Sequence, residues 1–441
     1  MTAYWCERAL LDDAGVVDGV LVEVDGTRIV GVDRTAAPPH GATRLTGLTI
    51  PGFANCHSHA FHRALRGRTQ RERGSFWTWR DTMYAVADRL DPETYYALAR
   101  AAYDEMVLAG ITAVGEFHYV HHGPDGVPYD EPNAMGLALV AAARDAGLRI
   151  ALLDTCYLSS GFGSAPEGVQ ARYSDGSAHR WAQRVTDLSS HWGARGSDVV
   201  VGAAIHSVRA VTRDDLRTVA TTLPAAPLHA HVSEQVAEND ACQAAYGMTP
   251  VQLLAEHDVL TDRFSAVHAT HLADDDRKRL GTAAAYACFC PTTERDLGDG
   301  IGDAAGLIEA GARLTLGSDS HAVVDPFEEM RAVELDQRLA TRSRGHLRAS
   351  DLLRAGTATG HASLGFADAG RIAPGQWADL VTVAVDSPRT AGTGATEESV
   401  VFAAGAGDVR HVVASGRLVS LDLRAVGERL DRAITEVVGE R

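Results

Sequence analysis

The stretch LTIPGFANCHSH, residues 48–59, is an almost unbroken apolar run that ends on two histidines two positions apart. Seven further runs share its character: ITAVGEFHY (111–119), RIALLDTCY (149–157), VVVGAAIHS (199–207), APLHAHVS (226–233), FSAVHAT (264–270), AYACFCP (285–291) and RLTLGSDS (313–320). Between them lie longer stretches with a helical apolar period that end at glycine, such as PETYYALARAAYDEMVLAG (92–110) and PNAMGLALVAAARDAG (132–147). Strands that are apolar on both faces belong to parallel sheets covered by helices. Eight strand–helix repeats therefore predict an α/β protein, a TIM-like (β/α)8 barrel over residues 50–365. Residues 9–34, and AGRIAPGQWADLVTVAV and VRHVVASGRLVSL near the other end, read instead as short strands broken by turn residues. Residues 1–49 and 366–441 are expected to meet as one small β-sandwich domain. The segment SSGFGSAPEGVQARYSDGSAHR (159–180) reads as a long polar loop or lid.

The 441 residues are 45% hydrophobic and 22% charged, which is ordinary for a globular enzyme. The formal charge of −17 is spread along the chain rather than collected in a tail. Such a surface repels phosphate backbones and anionic lipid, so neither nucleic acid nor a membrane is an expected partner. No run approaches 18 apolar residues, no basic-then-apolar leader opens the chain, and the six cysteines lack zinc-ribbon spacing. A cytoplasmic, reducing setting is the expectation. Of the 41 lysines and arginines only Lys278 is a lysine, so any lysine-dependent chemistry has a single candidate. For most of the arginines that bias reflects codon usage.

In a parallel barrel the active site lies at the carboxyl ends of the strands, and that is where these runs carry their polar residues. His57 and His59 stand at i and i+2, so on a strand both imidazoles enter the barrel mouth on one face. His231 ends the fifth run and Asp319 the eighth. Three histidines and a carboxylate suit one divalent metal, zinc or ferrous iron, with room for a water. Asp319 beside that water can accept its proton, and Glu234, three residues past His231, can pass it to a leaving group. His268, ending the sixth run, can polarise a substrate. Against these readings stand a solvated carboxylate at a helix start for Glu234 and a satisfied core histidine for His268.

The motifs HSHAF (57–61), HAHVSEQ (229–235), VHATHL (267–272), CPTTERDLGDG (290–300), GSDSH (317–321) and AGRIAPGQWADLV (369–381) together resemble the amidohydrolase superfamily over nearly the whole chain. The resemblance implies metal ligation by His57, His59, His231 and Asp319, proton transfer by Glu234, and a catalytic His268. One branch of that superfamily bridges two metals with a carboxylated lysine on the fourth strand. VVVGAAIHS has no lysine, so a mononuclear centre of the deaminase type follows. A narrower resemblance, carried by HSHAFHRALRG, SFWTWRDTMY, GEFHYVHH, IHSVRAV and CPTTERDLGDG, is to the formimidoylglutamate deiminases of histidine degradation. It implies a small dicarboxylate substrate and a homodimer. It also implies substrate contacts from Arg80, Arg209, Tyr119 and His206. Those deiminases carry glutamine where this chain has His62, which can still donate one hydrogen bond. The alternative is another mononuclear deaminase acting on guanine, cytosine, a nucleoside or an aminotriazine-like compound. His118, His121 and His122 read as loop polarity or support rather than a second metal, and Trp77 and Trp79 as pocket wall or core.

Overall fold

The computed structural model describes residues 1–12, 14–70, 76–192 and 197–439, with backbone alone at 76–78. Its strands are β1 (Thr2–Leu11), β2 (Gly15–Asp25), β3 (Arg28–Arg34), β4 (Thr43–Pro51), β5 (Phe53–Ser58), β6 (Ile111–His118), β7 (Arg149–Cys156), β8 (Val199–Ile205), β9 (Leu228–Val232), β10 (Phe264–His268), β11 (Tyr286–Phe289), β12 (Arg313–Leu316), β13 (Leu380–Val383), β14 (Val409–Ala414) and β15 (Arg417–Leu418). Strands β5 to β12 follow one another in order as an eight-stranded parallel sheet, and each corresponds to one of the apolar runs. The sheet closes between its first and last strands. Asp319 donates its backbone N–H to His57 O at 2.9 Å, and His59 donates to Asp319 O at 3.2 Å. Closure thus fixes the two ends of the histidine–aspartate set against each other.

Helices between the strands begin and end where local chemistry predicts. Asp91 caps the helix Pro92–Leu108, its Oδ1 accepting from the backbone of Glu93 and Thr94 at 3.0 and 2.8 Å. The helix Ala134–Ala146 stops at Gly147, whose φ of 83° is the left-handed conformation glycine adopts without strain.

The chain ends form a second, mixed sheet in the order β15-β14-β13-β4-β1-β2-β3. Backbone bonds from Ile29 to Gln376 and from Ala378 to Thr27 bring its β3 edge back beside the entry to β13. The sheet thereby curls around its own core of Tyr4, Val20, Val24, Ile29, Leu380 and Val413, among others. Passage from this sheet to the barrel occurs at Gly52, where a Cβ would collide with Thr112. A buried ion pair at 2.5 Å between Arg149, at the start of β7, and Asp379 joins the two units. Its angle falls outside hydrogen-bond geometry, while the other Asp379 oxygen accepts from Ser415 N at 2.8 Å. The final helix, Leu423–Val438, returns to the barrel wall, where Arg429 grips buried Asp104 at 2.6 Å. Among the described residues no helix is long and apolar enough to cross a membrane.

Candidate active site

His57, His59, His231, His268 and Asp319 converge at the carboxyl ends of β5, β9, β10 and β12, and all are buried. The Nε2 atoms of His57 and His59 each lie 3.2 Å from Asp319 Oδ1, His231 Nε2 is 3.1 Å from His57 Nε2, and His268 Nε2 is 3.9 Å from Asp319 Oδ2. His268 and Asp319 hold left-handed φ values of 66° and 41°. That conformation is uncommon for residues other than glycine, and it aims both side chains inward at the strand ends.

The donor chemistry fits a cation. His59 Nδ1 lies 2.9 Å from Phe117 O and His231 Nδ1 lies 2.8 Å from His206 O. A carbonyl can only accept, so both Nδ1 atoms carry the proton and both Nε2 atoms turn lone pairs toward the cluster. Two imidazole nitrogens face each other at 3.1 Å, while buried His57 Nδ1 finds no partner among the described residues. A divalent ion shared by these atoms and Asp319 resolves that crowding. Burial drives the His57 imidazole down to about 3 and His231 well below the usual range, so both are neutral, as ligands must be. Burial opposes ionisation of Asp319, but the His57 and His59 imidazoles packed against it hold its carboxyl well below the usual carboxylate range. The turn after HSH is steadied by buried Glu116, which accepts from Ala60 N at 2.6 Å and Ser58 Oγ at 2.7 Å.

Glu234 follows β9, with Oε1 4.0 Å from His268 Nε2. Burial raises its carboxyl, and the Asp319 charge adds to the effect. His268 Nδ1 lies 3.4 Å from Glu294 Oε1, which also accepts from Cys290 N at 2.8 Å. Against the pull of burial, Glu234, Glu294 and Asp319 together raise the His268 imidazole well above its ordinary value. Glu294 lies within CPTTERDLGDG, but nothing in that motif singled it out as the carboxylate that orients His268.

A cavity opens onto this cluster, lined by all five expected substrate residues, His62, Arg80, Tyr119, His206 and Arg209. Among the described residues no carboxylate comes within salt-bridge distance of Arg209, which leaves its guanidinium for an incoming anion. The Arg80 guanidinium sits 5.5 Å from the Tyr84 ring centroid. His62 Nε2 pairs with the Tyr119 hydroxyl at 2.9 Å. Trp79 is pocket wall, together with Tyr84, Tyr157 and Tyr173, which sequence reasoning missed. Of these, Tyr157 carried a signal, since it follows directly on β7. The side chain of Trp77 lies outside the described residues.

The segment 159–180 is packed rather than free. Buried Arg172 donates to the backbone oxygens of His122, Ala87 and Leu90, and Tyr173 enters the cavity wall. His118, His121 and Asp154 bring ligand atoms close together, but the Asp154 carboxylate is filled by Arg184, at 2.8 and 2.9 Å, and by Trp181 Nε1 at 2.9 Å. A guanidinium at that position repels a cation. His122 belongs to the same network through Asp175 at 3.2 Å. The cluster supports structure.

Residues 48–419 match the profile of the amidohydrolase family. The chain is 39% identical to the formimidoylglutamate deiminase of Pseudomonas aeruginosa, over 100% of this chain and 99% of that one. It is 27% identical to a 5-methylthioadenosine/S-adenosylhomocysteine deaminase of Natronomonas pharaonis, over 95% and 94% of the two chains. Among solved structures it superposes on an amidohydrolase from Brucella melitensis with a TM-score of 0.91 at 33% identity, covering 99% and 100%. A zinc-bound adenosine deaminase from Xanthomonas campestris shares the fold, with a TM-score of 0.85 at 22% identity and coverage of 100% and 99%.

Proposed function

The chain belongs to the amidohydrolase family, and on that footing we propose that it hydrolyses N-formimidoyl-L-glutamate to N-formyl-L-glutamate and ammonia. The observation that carries this reading is one cavity that holds the histidine–aspartate cluster together with Arg80 and Arg209. A neutral nucleobase needs no such cations, whereas a dicarboxylate with an amidine carbon needs both. The full-length identity to a formimidoylglutamate deiminase supports the same choice.

In this reading His57, His59, His231 and Asp319 hold one divalent ion, zinc, or iron on the same donors. Bound there, such an ion would supply Lewis-acid activation of water at neutral pH. Asp319, kept ionised by its two imidazole neighbours, takes up a proton on its carboxylate. Glu234, whose carboxyl burial raises, delivers a proton to the departing nitrogen. His268, whose imidazole the surrounding acids raise, offsets negative charge that develops on the atoms bonded to the attacked carbon. Arg80 and Arg209 hold the substrate carboxylates, each charge-assisted hydrogen bond contributing about 1.5–3 kcal/mol. Tyr119, His206 and His62 complete the contacts. The proposal includes a place in histidine degradation, a cytoplasmic setting and a homodimer.

The test is ammonia release by purified protein from formimidoylglutamate beside guanine, cytosine and adenosine. Turnover of formimidoylglutamate alone is the expected result. Release from a nucleobase or nucleoside and none from formimidoylglutamate sinks the reading in favour of another deaminase.

A further inference from the structure

The cavity wall contains a polar device that the reaction described above does not use. Gln170 lies in the short helical turn Gly168–Tyr173 and is buried. Its side-chain oxygen accepts the backbone N–H of Glu167 at 3.0 Å. A backbone N–H cannot accept, so the amide orientation is determined and Nε2 must face the other way. There it reaches the hydroxyls of Tyr84 at 2.8 Å and Tyr157 at 3.0 Å, one N–H for each. A phenol oxygen that accepts from an amide keeps its own proton to donate elsewhere. Among the described residues neither hydroxyl has another hydrogen-bond partner, and both rings line the cavity alongside Arg80 and Arg209.

We propose that Gln170 turns the hydroxyls of Tyr84 and Tyr157 into the cavity as a paired donor for one substrate carboxylate. Gln170 is thus a positioning residue, and Tyr84 and Tyr157 are specificity-determining contacts. Two neutral O–H donors beside a guanidinium match the two oxygens of a carboxylate. The competing explanation is that Gln170 only ties down the segment 159–180. Arg172 already does that with its three backbone contacts, so the amide is free to serve the cavity. This inference rests on the deiminase reading for its substrate, and the experiment separates the two.

Steady-state kinetics of wild type and Gln170→Glu are measured on formimidoylglutamate and on its two monocarboxylate analogues, 2-(formimidoylamino)butyrate and 4-(formimidoylamino)butyrate. A glutamate accepts from both phenols and turns their protons away from the cavity. KM for formimidoylglutamate is expected to rise about tenfold or more with kcat within about twofold, the worth of one such hydrogen bond. The analogue that lacks the cradled carboxylate should show no change. Gln170→Met, which fills the same space without an amide, should give the same pattern in weaker form. A rise that is equal on all three substrates, or no rise, overturns the inference while leaving the deiminase reading intact. If wild type does not turn over formimidoylglutamate, the functional reading falls. Glutarate binding by calorimetry then decides about the cradle: weakening in Gln170→Glu upholds it and unchanged binding overturns it.

Discussion

Replacing Arg209 by methionine removes a cation without breaking an internal ion pair. Arg209 lines the cavity, and among the described residues no carboxylate pairs with it, so the fork it loses is the one offered to substrate. Two charge-assisted hydrogen bonds at about 1.5–3 kcal/mol each, partly made up by water and Arg80, leave a loss near 3 kcal/mol. That corresponds to a fall in kcat/KM of roughly 150-fold on formimidoylglutamate. Metal content should be unchanged, because the backbone carbonyl of His206, not the Arg209 side chain, holds His231. The pH profile gives a second reading. Burial raises the Glu234 carboxyl and the Arg209 charge counters it. Without Arg209 that carboxyl rises further, so a basic limb set by protonated Glu234 moves to higher pH. Arg209→Lys, which keeps the charge but not the fork, should restore the limb and recover only part of the rate. Wild-type kcat/KM in Arg209→Met would refute the carboxylate assignment.

Glu294→Gln should lower kcat about tenfold with little change in KM, since it removes the charge that faces His268 Nδ1 at 3.4 Å; unchanged kcat would remove Glu294 from the machinery. The same variant should lower the His268 imidazole, so a basic limb that depends on its protonated form moves to lower pH. Arg149→Met leaves Asp379 buried and unpaired, and chemical denaturation should show a loss of about 3–5 kcal/mol with KM unaffected. Metal analysis of the purified protein should return one equivalent per chain and almost none in His57→Ala; a value near two in wild type would contradict a mononuclear centre.

The barrel was legible because strands buried on both faces must be apolar throughout, so β5 to β12 stand out as runs rather than as alternations. The candidate site was legible for the same reason: His57, His231, His268 and Asp319, which the structure brings together, are polar side chains at the ends of otherwise apolar stretches. What escaped depends on contacts between distant parts of the chain. Arg149 and Asp379 are unremarkable in sequence, and their pairing exists only once the two sheets meet. Gln170 sits in a polar stretch with no periodic pattern, so its link to Tyr84 and Tyr157 has no local signal. The final helix, Leu423–Val438, buries Val426, Leu430, Ala433, Ile434 and Val437 at helical spacing. Its apolar spacing is helical, but it follows directly on the short strands β14 and β15, whose pattern is that of a sheet.

The most direct measurement is incubation of the purified metalloprotein with formimidoylglutamate in oxygen-18 water, followed by mass spectrometry of the product and assay of ammonia. Hydrolytic deimination predicts one oxygen-18 in each formylglutamate formed and one ammonia released with it. Absence of formylglutamate from a protein that carries its metal, or ammonia released without label in the formyl group, would contradict it.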